Sequence, residues 1–265
     1  MSVYIIGDLH LSFGEDKPMS IFGPNWEKHS EKIKQDWLNK VRPEDTIFLA
    51  GDFSWATYLE DSYEDFSYIN SLPGKKILLK GNHDYWWTTI TSMKRYLQEN
   101  KIENVDFLFN NSYEIENKIF VGTRGWALLD SENSQKMINR EAARLELSIK
   151  SAIEQFGEDK EIIAIMHYPP ISNSCMKNEY TYNSKFLDIM KKYNIKKCYY
   201  GHLHGSSHKD AIEGEIEGIN FKLISADYLE FKLYKICWQI TTNMLKFIFV
   251  SRLSRAKNAN KRLAA

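Results

Sequence analysis

The stretch Lys80-Gly81-Asn82-His83-Asp84 combines a turn with three polar side chains that could form a site. It follows a short apolar run, Ile77-Leu78-Leu79, which predicts a buried strand. Gly81 permits a sharp turn at the strand end, so that Asn82 and His83 project into a cleft. An amide oxygen, an imidazole and a carboxylate in adjacent positions are all groups that bind metal ions. Taken alone, the stretch is weak support for a function, and its weight depends on what the rest of the chain repeats.

The same order, an apolar strand followed by polar metal-binding groups, recurs at four other places. They are Gly7-Asp8-Leu9-His10, Gly51-Asp52, His167 after the run 161–166, and Gly201-His202-Leu203-His204. Each of these has an ordinary interpretation, because a strand-end Asp commonly forms a turn and a single His commonly packs in a core. Five strand ends that all carry such groups are not explained in that way, so we expect them to form one site.

The alternation of strands and helices predicts an α/β fold. Strands at 3–6, 46–50 and 76–80 alternate with helices at about 26–41, 57–71 and 86–98, which favours parallel strands covered by helices. Ligands in such sheets bind beyond the carboxyl ends of the strands. The second half predicts strands at 105–109, 113–115, 119–122, 161–166 and 197–200, helices at 134–156 and 184–193, and antiparallel strands within 210–236.

Charge and cysteine content limit the function classes. Lys+Arg and Asp+Glu both number 35 in the 265 residues, so no strong nucleic-acid signal is present. Cys175, Cys198 and Cys237 lie far apart, which fits neither a disulfide framework nor a zinc-binding CxxC pair and indicates a cytoplasmic setting. The chain starts directly with a predicted strand, so we expect no signal peptide, and no apolar run is long enough for a transmembrane segment.

The residues 237–265 differ from the rest, because they contain six basic residues and no acidic one. We interpret 1–236 as the folded domain and 237–265 as a basic C-terminal tail that is partly disordered. A membrane-surface helix, a partner-binding segment and a terminus unrelated to the fold are the alternatives left open for it.

The predicted donors combine nitrogen and oxygen atoms and include no thiolate. Such a set suits manganese, iron, zinc or nickel rather than calcium or a structural zinc. Seven donors exceed the needs of one ion, whereas two divalent transition-metal ions that share a bridging carboxylate would use them all. A pair of this kind can hold a bridging hydroxide and bind a phosphoryl oxygen at the same time.

The order GDxH, GD, GNHD, H and GHxH over residues 7 to 204 resembles the calcineurin-like metallophosphoesterase superfamily. The segments GNHDYWW and GTRGW resemble its uncharacterised bacterial phosphohydrolases. The resemblance implies a four-layer α/β/β/α sandwich. It also implies that Asp8, His10 and His204 bind one ion, that Asn82, His167 and His202 bind the other, and that Asp52 bridges them. His83 then acts on the substrate without binding a metal, and Asp84 orients His83, although the family often has Glu at that position.

Two further groups are candidates for contact with the substrate. Arg124 follows a predicted strand and either grips a phosphate or forms a surface salt bridge. The aromatic residues beside the motifs form either a wall for a nucleobase or aryl group, or part of the core; they are Trp55, Tyr85, Trp86, Trp87, Trp126 and Tyr168.

The leading hypothesis is a metal-dependent phosphoesterase, a phosphodiesterase or a phosphomonoesterase, with manganese as the expected metal and a small phosphate ester as its substrate. The alternative is a binding or scaffold module on the same fold without turnover, which fold alone does not distinguish. Hydrolysis of an aryl phosphate ester with added Mn²⁺ discriminates between them. The oligomeric state is left undecided.

Overall fold

The computed structural model describes residues 1–172, 176–178 and 181–236. The residues Met1–Lys235 form one compact unit. The tail predicted for 237–265, including its membrane-surface alternative, lies outside the described residues. In the part of the chain that is described, no helix has the length and apolar character needed to cross a bilayer.

Two sheets form the centre of the fold. The first has the strand order β13-β1-β2-β3-β4. Its strands are β1 (Val3–Ile6), β2 (Thr46–Ala50), β3 (Lys75–Leu79), β4 (Val105–Phe107) and β13 (Tyr234–Ile236). The strands β1 to β4 are mutually parallel, as the strand–helix alternation predicts.

The second sheet has the order β11-β12-β10-β7-β6-β5. Its strands are β5 (Tyr113–Ile115), β6 (Lys118–Thr123), β7 (Glu161–Met166), β10 (Lys197–Tyr200), β11 (Gly214–Ile216) and β12 (Ile219–Leu223), and a separate antiparallel pair is formed by β8 (Met176–Asn178) and β9 (Thr181–Tyr182). The expectation of antiparallel strands near the end holds for β11 with β12 but is wrong for β12 with β10, which are parallel. The central strands β6, β7, β10 and β12 are therefore all parallel.

Helices cover the outer face of each sheet. The helices are α1 (His29–Lys40), α2 (Tyr63–Asn70), α3 (Ile90–Glu99), α4 (Glu132–Phe156) and α5 (Lys185–Lys192). Apolar residues of α1, α2 and α3 share one core with the first sheet, and those of α4 and α5 share another with the second sheet. The two sheets face each other, and Phe48 stacks on Phe120 with ring centroids 4.6 Å apart. The chain thus forms the four-layer α/β/β/α sandwich that was expected.

The layers explain why the strands carry few polar residues. Every residue of β1 and β2 is buried, because one face of the sheet meets helices and the other meets the second sheet. Polar groups are therefore displaced to the strand ends, where the candidate site lies.

Candidate metal centre

Three predicted donors form a first group at the edge of the sandwich. Asp8, His10 and His204 come from the ends of β1 and β10, and one donor atom of each lies within 4.8 Å of the others. His10 Nε2 lies 3.4 Å from His204 Nε2, and Asp8 Oδ1 lies 3.4 Å from the same nitrogen. Two residues that are 194 positions apart thus present their nitrogens to a common point.

Asp52, His167 and His202 form a second group, in which one donor atom of each residue again lies within 4.8 Å of the others. Asn82 joins it, because its Oδ1 lies 2.7 Å from His167 Nε2. These residues follow β2, β7, β10 and β3. The structure therefore brings all seven predicted donors to one edge of the sandwich.

Asp52 lies between the two groups. Its Oδ2 is 3.5 Å from His167 Nε2 in the second group and 3.8 Å from His10 Nε2 in the first. The carboxylate is 1% exposed, so it cannot turn away into water. A single oxygen in this position faces both groups at once.

The backbone at this edge is strained in a way that ordinary packing does not require. Asp8, His10, Asp52 and His202 all have positive φ angles, of 60°, 46°, 50° and 75°. Positive φ is uncommon for residues other than glycine and costs about 1–3 kcal/mol for each residue, and such residues cluster at functional sites. The strain turns the chain sharply at each strand end and so directs the side chain into the site.

Two glycines allow the chain segments to approach one another. A Cβ atom on Gly81 would lie 2.1 Å from Asp52 Oδ1, and one on Gly201 would lie 2.4 Å from Asp8 Oδ2. Both distances are far below van der Waals contact, and the atoms in the way belong to buried carboxylates. The glycine that precedes the predicted donors in these motifs is therefore a requirement of close packing against the carboxylates.

Hydrogen bonds from outside the groups fix the imidazole rings. His167 Nδ1 donates to the carbonyl of Ala50 at 3.1 Å, which leaves Nε2 directed at Asn82 and Asp52. His204 Nδ1 donates to Asp227 Oδ1 at 2.8 Å, which leaves its Nε2 directed at Asp8 and His10. Metal-binding histidines commonly have such partners on the opposite nitrogen.

Sequence reasoning missed Asp227. It lies shortly after β12, so it shares the pattern of an apolar strand followed by an acidic residue, but it lacks the adjacent Gly or His that marks the other motifs. Its second oxygen accepts a hydrogen bond from the Gly205 amide at 3.0 Å, and His208 Nε2 lies 3.2 Å from that oxygen. This carboxylate therefore supports both the His204 ring and the loop that carries it.

Burial and mutual charge displace the pKa values of these groups. Burial, with the charge of Asp8 added to it, raises the pKa of Asp52 to about 8. Burial lowers the pKa of His10 and of His167, and lowers that of His202 to about 3, so these rings are neutral at pH 7 and keep a free lone pair.

The pKa values of Asp8 and His204 are shifted in opposite directions by the interaction between the two residues. Burial opposes the change in each, but their attraction lowers the pKa of Asp8 well below its usual range and raises that of His204 to about 10. Two buried carboxylates, Asp8 and Asp52, thus lie among mostly neutral imidazoles, and a cation among them would relieve the repulsion between the carboxylates.

The donor atoms have the spacing that transition metals require. Nitrogen and oxygen atoms bound to one ion at about 2.1 Å lie roughly 3.0–3.4 Å apart in octahedral or tetrahedral geometry. The contacts of 3.4 Å in the first group and of 2.7 and 3.5 Å in the second are close to that range. The residues present therefore fit two divalent ions.

His83 lies at the open side of the site. Its Nε2 is 4.0 Å from Asp52 Oδ2, its side chain is 35% exposed, and its ring packs on Trp55 with centroids 4.4 Å apart. Its backbone amide donates to Asp52 Oδ1 at 2.7 Å, which fixes the loop but leaves the ring free to face a bound molecule.

The expectation that the Asp84 carboxylate bonds and orients the His83 ring is wrong. Its oxygens accept hydrogen bonds from the amides of Gly81, Asp52, Phe53 and Ser54 and from Trp86 Nε1, and the His83 ring is not among its partners in the described residues. The side chain is fully buried and turned into the protein, where it ties the loop after β3 to the loop after β2. It thus fixes the backbone of Asp52 directly and, through Gly81, the loop that carries His83.

Arg124 lies beside the second group but is occupied by other contacts. Its Nη2 is 3.8 Å from the buried carboxylate of Glu141, and its guanidinium lies over the ring of Trp126 at 4.5 Å. Its Nε is buried and has no hydrogen-bond partner among the residues that the structure describes. Its backbone carbonyl accepts from the amide of Tyr168, whose ring packs on His202 with centroids 4.1 Å apart.

The aromatic residues divide into two sets. Trp86 and Trp87 are in the core of the first sheet, as the alternative interpretation expected. Trp55 contacts His10 and His83, and Tyr168 contacts His202, so these two adjoin the donors. Trp126 packs near Tyr168, and Tyr85 is 63% exposed at the edge of His83.

Comparison with known proteins agrees with this architecture. Two solved structures share the fold, each with a TM-score of 0.53. One is a phosphopantetheinyl hydrolase from Mycobacterium tuberculosis, 15% identical, with 90% of this chain and 96% of that chain covered. The other is TT1561 of Thermus thermophilus, 13% identical, with 88% of this chain and 97% of that chain covered. At these identities the likeness shows the fold alone.

Sequence comparison identifies the family more directly. None of the curated proteins compared with this chain matches it. The model of the calcineurin-like phosphoesterase family matches residues 1–206, which include all seven donors, His83 and Arg124. The chain therefore belongs to the calcineurin-like phosphoesterase family.

Proposed function

We propose that this protein hydrolyses a phosphate ester with the help of two divalent transition-metal ions. The observation that carries the proposal is the position of Asp52 Oδ2, which lies 3.8 Å from His10 Nε2 and 3.5 Å from His167 Nε2 and so faces both donor groups. A packing role explains neither this arrangement nor the strained backbone that supports it.

The donor groups suggest how the residues divide between the ions. Asp8, His10 and His204 would hold one ion, Asn82, His167 and His202 would hold the other, and Asp52 would contact both. When bound, such ions lower the pKa of water and offset negative charge on a phosphate. Manganese is the metal we expect, with iron, zinc and nickel as alternatives that the donor set also suits.

The residues of the chain supply orientation and hydrogen bonding. His83 faces the open side and donates to a phosphoryl oxygen or protonates the leaving group. Asp84 positions the backbone of Asp52 and, through Gly81, the loop that carries His83, since its carboxylate accepts five hydrogen bonds. Arg124 is the candidate to contact the phosphate through its guanidinium, whose Nη2 lies 3.8 Å from Glu141 Oε1.

We further propose that residues 1–236 are the catalytic domain and that it acts in the cytoplasm. The substrate is a small phosphate ester, because equal numbers of basic and acidic residues provide no broad basic surface for a nucleic acid. A phosphodiester is the preferred class, with a phosphomonoester as the alternative.

The test is hydrolysis of bis(p-nitrophenyl) phosphate and p-nitrophenyl phosphate by protein loaded with Mn²⁺. We expect turnover of at least one ester and loss of turnover after chelation. We expect His83→Ala to retain both metals, measured by elemental analysis, and to lower kcat by about 10²–10³-fold, because one positioned donor or acid contributes that much.

His83→Gln is the matched variant, since it can still donate a hydrogen bond but cannot act as an acid. Activity in His83→Gln well above that of His83→Ala favours hydrogen-bond donation. Normal turnover in His83→Ala would contradict the role of His83. Hydrolysis of neither ester by the metal-loaded protein would contradict the proposed function and leave the binding module as the better interpretation.

A further inference from the structure

A cavity adjoins the first donor group on the side where His83 is exposed. Its volume is about 400 Å³, and its wall includes His10, His83 and His204. Sites for small molecules have volumes of about 300–1,000 Å³, so this cavity is large enough for an organic group of a substrate. Because three candidate site residues form part of the wall, a group in the cavity lies directly beside the donors.

The rest of the wall is mainly apolar and, apart from Trp55 and Gly205, comes from a segment that the sequence analysis did not single out as part of a site. Two short 3-10 helices, Met19–Phe22 and Pro24–Trp26, follow the loop after β1 and contribute Met19, Phe22 and Trp26. Met19 and Trp26 are 5% and 3% exposed, whereas Phe22 is 57% exposed at the rim. The back of the cavity is therefore fixed by packing, and its entrance carries an aromatic ring that contacts solvent.

The rings around the cavity favour a flat occupant. Trp55 also lines the cavity, and the ring planes of Phe22 and Trp55 are inclined by only 8°, with centroids 6.5 Å apart. His10 stacks on Trp55 with an inclination of 24°. Aromatic rings bind other rings best in offset-stacked or edge-to-face contact, and this set of surfaces offers both.

One cation lies over this surface. Lys17 Nζ is 3.6 Å from the centroid of the Trp55 ring. The lysine is exposed, and a cation–π contact at an exposed site is weak compared with stacking of a ring in a partly desolvated pocket. An incoming ring can therefore displace the ammonium group from Trp55, after which the lysine remains near any negative charge on the ligand.

We propose that this cavity is the specificity site for a flat aromatic group on the substrate, placed there while the attached phosphate occupies the candidate metal centre. The inference rests on the proposed function, since the centre supplies the phosphate end of the ligand. It assigns Met19, Phe22, Trp26 and Trp55 to substrate selection. The preferred substrates are thus aryl or nucleobase-bearing phosphate esters rather than esters of small aliphatic alcohols.

The test compares phenylphosphonate with methylphosphonate, which share the charged end and differ only in the organic group. Calorimetric titration of the Mn²⁺-loaded protein measures binding without turnover. We expect phenylphosphonate to bind about tenfold more tightly, which is within the contribution of one stacked ring. We expect Phe22→Ala to reduce the ratio of the two affinities to about threefold. Phe22→Tyr keeps the ring and should leave this ratio of affinities unchanged.

Ile21→Ala is the control, because Ile21 is 69% exposed, belongs to the same 3-10 helix and does not line the cavity. It should leave the ratio of affinities as in the wild type. Equal affinities for the two phosphonates in the wild type, or an unchanged ratio in Phe22→Ala, would overturn the inference. Selective binding of phenylphosphonate by a protein that hydrolyses no ester would refute the proposed reaction but not the cavity's preference.

Discussion

Asp227 makes two hydrogen bonds that hold the His204 loop in place. One oxygen accepts from His204 Nδ1 at 2.8 Å and the other from the Gly205 amide at 3.0 Å. An aspartate is needed for both, because asparagine offers only one acceptor oxygen. The residue touches no expected substrate position, so its effect on the site passes through the orientation of His204.

Asp227→Asn should therefore weaken metal binding. We expect an affinity for Mn²⁺ about tenfold lower, at the low end of the 10- to 100-fold effect of removing a partner of a metal-binding histidine. Titration calorimetry of metal-stripped protein measures this directly. Asp210→Asn is the control, since Asp210 is exposed in the same region. Equal affinities in the wild type and both variants would show that Asp227 has only a packing role.

At the scale of residues, the sequence revealed the donors but not what supports them. The seven donors carry distinctive side chains directly after apolar strands, so their types and positions were visible. Most of the partners of Asp84 and His204 were not visible. Three of the five hydrogen bonds to Asp84 join residues 30 to 32 positions apart, and the one between His204 and Asp227 joins residues 23 positions apart, so they depend on which strands become neighbours. The expectation that Asp84 bonds the His83 ring was wrong for this reason.

The strand β3 contains a fully buried lysine, Lys76, near its start. Lys76 Nζ donates to the carbonyls of Leu72 and Gly74, and the side chain has no exposed surface. Burial lowers the pKa of Lys76 from 10.5 to about 7. Between these values the unfolded chain binds more protons at this position than the folded chain, so the contribution of Lys76 to the free energy of unfolding rises with pH.

The difference in free energy of unfolding between the wild type and Lys76→Met should therefore grow from pH 7 to pH 9. A full pH unit corresponds to about 1.4 kcal/mol, so we expect the wild type to gain about 1–3 kcal/mol relative to the variant. Urea denaturation at several pH values checks this. Lys75→Met is the control, because the Lys75 side chain is 49% exposed. Parallel curves for the wild type and Lys76→Met would show that Lys76 stays charged when buried.

At the scale of elements, periodicity predicted the helices and central strands well, with errors at their ends. A helix was expected from residue 26, but α1 begins at His29, and Pro24–Trp26 is a separate 3-10 helix. Gly23, with φ of 141°, and Lys28, with φ of 53°, interrupt the helical path on both sides of it. Side-chain periodicity does not register such backbone reversals, nor does it fix whether β12 runs parallel to its neighbour β10.

The whole molecule joins its two sheets at the candidate centre. The first sheet and the loops after its strands supply Asp8, His10, Asp52 and Asn82, while the second supplies His167, His202 and His204. Ions held between them would bind the folded state and not the unfolded one, and so would stabilise the sandwich by mass action.

Mn²⁺ at about 100 times its dissociation constant should raise the free energy of unfolding by about 2.7 kcal/mol for each ion bound. For a domain of this size that corresponds to a rise in Tm of about 5–10 °C. Thermal unfolding of chelator-treated protein with and without Mn²⁺ measures the shift. Ca²⁺ is the control, because it prefers oxygen donors. At a site rich in imidazoles, Ca²⁺ should therefore give a much smaller rise in Tm than Mn²⁺ gives. Equal shifts with both ions would contradict the proposed donor set.

The division of the donors between distant parts of the chain also has a consequence for biosynthesis. His204 lies 194 positions beyond His10. While the ribosome is still extending the chain through β1 to β4, an emerging intermediate holds only an incomplete set of oxygen and nitrogen groups. Under the proposed function, the metal centre would therefore be completed late in maturation, only after the nascent polypeptide has grown past His204.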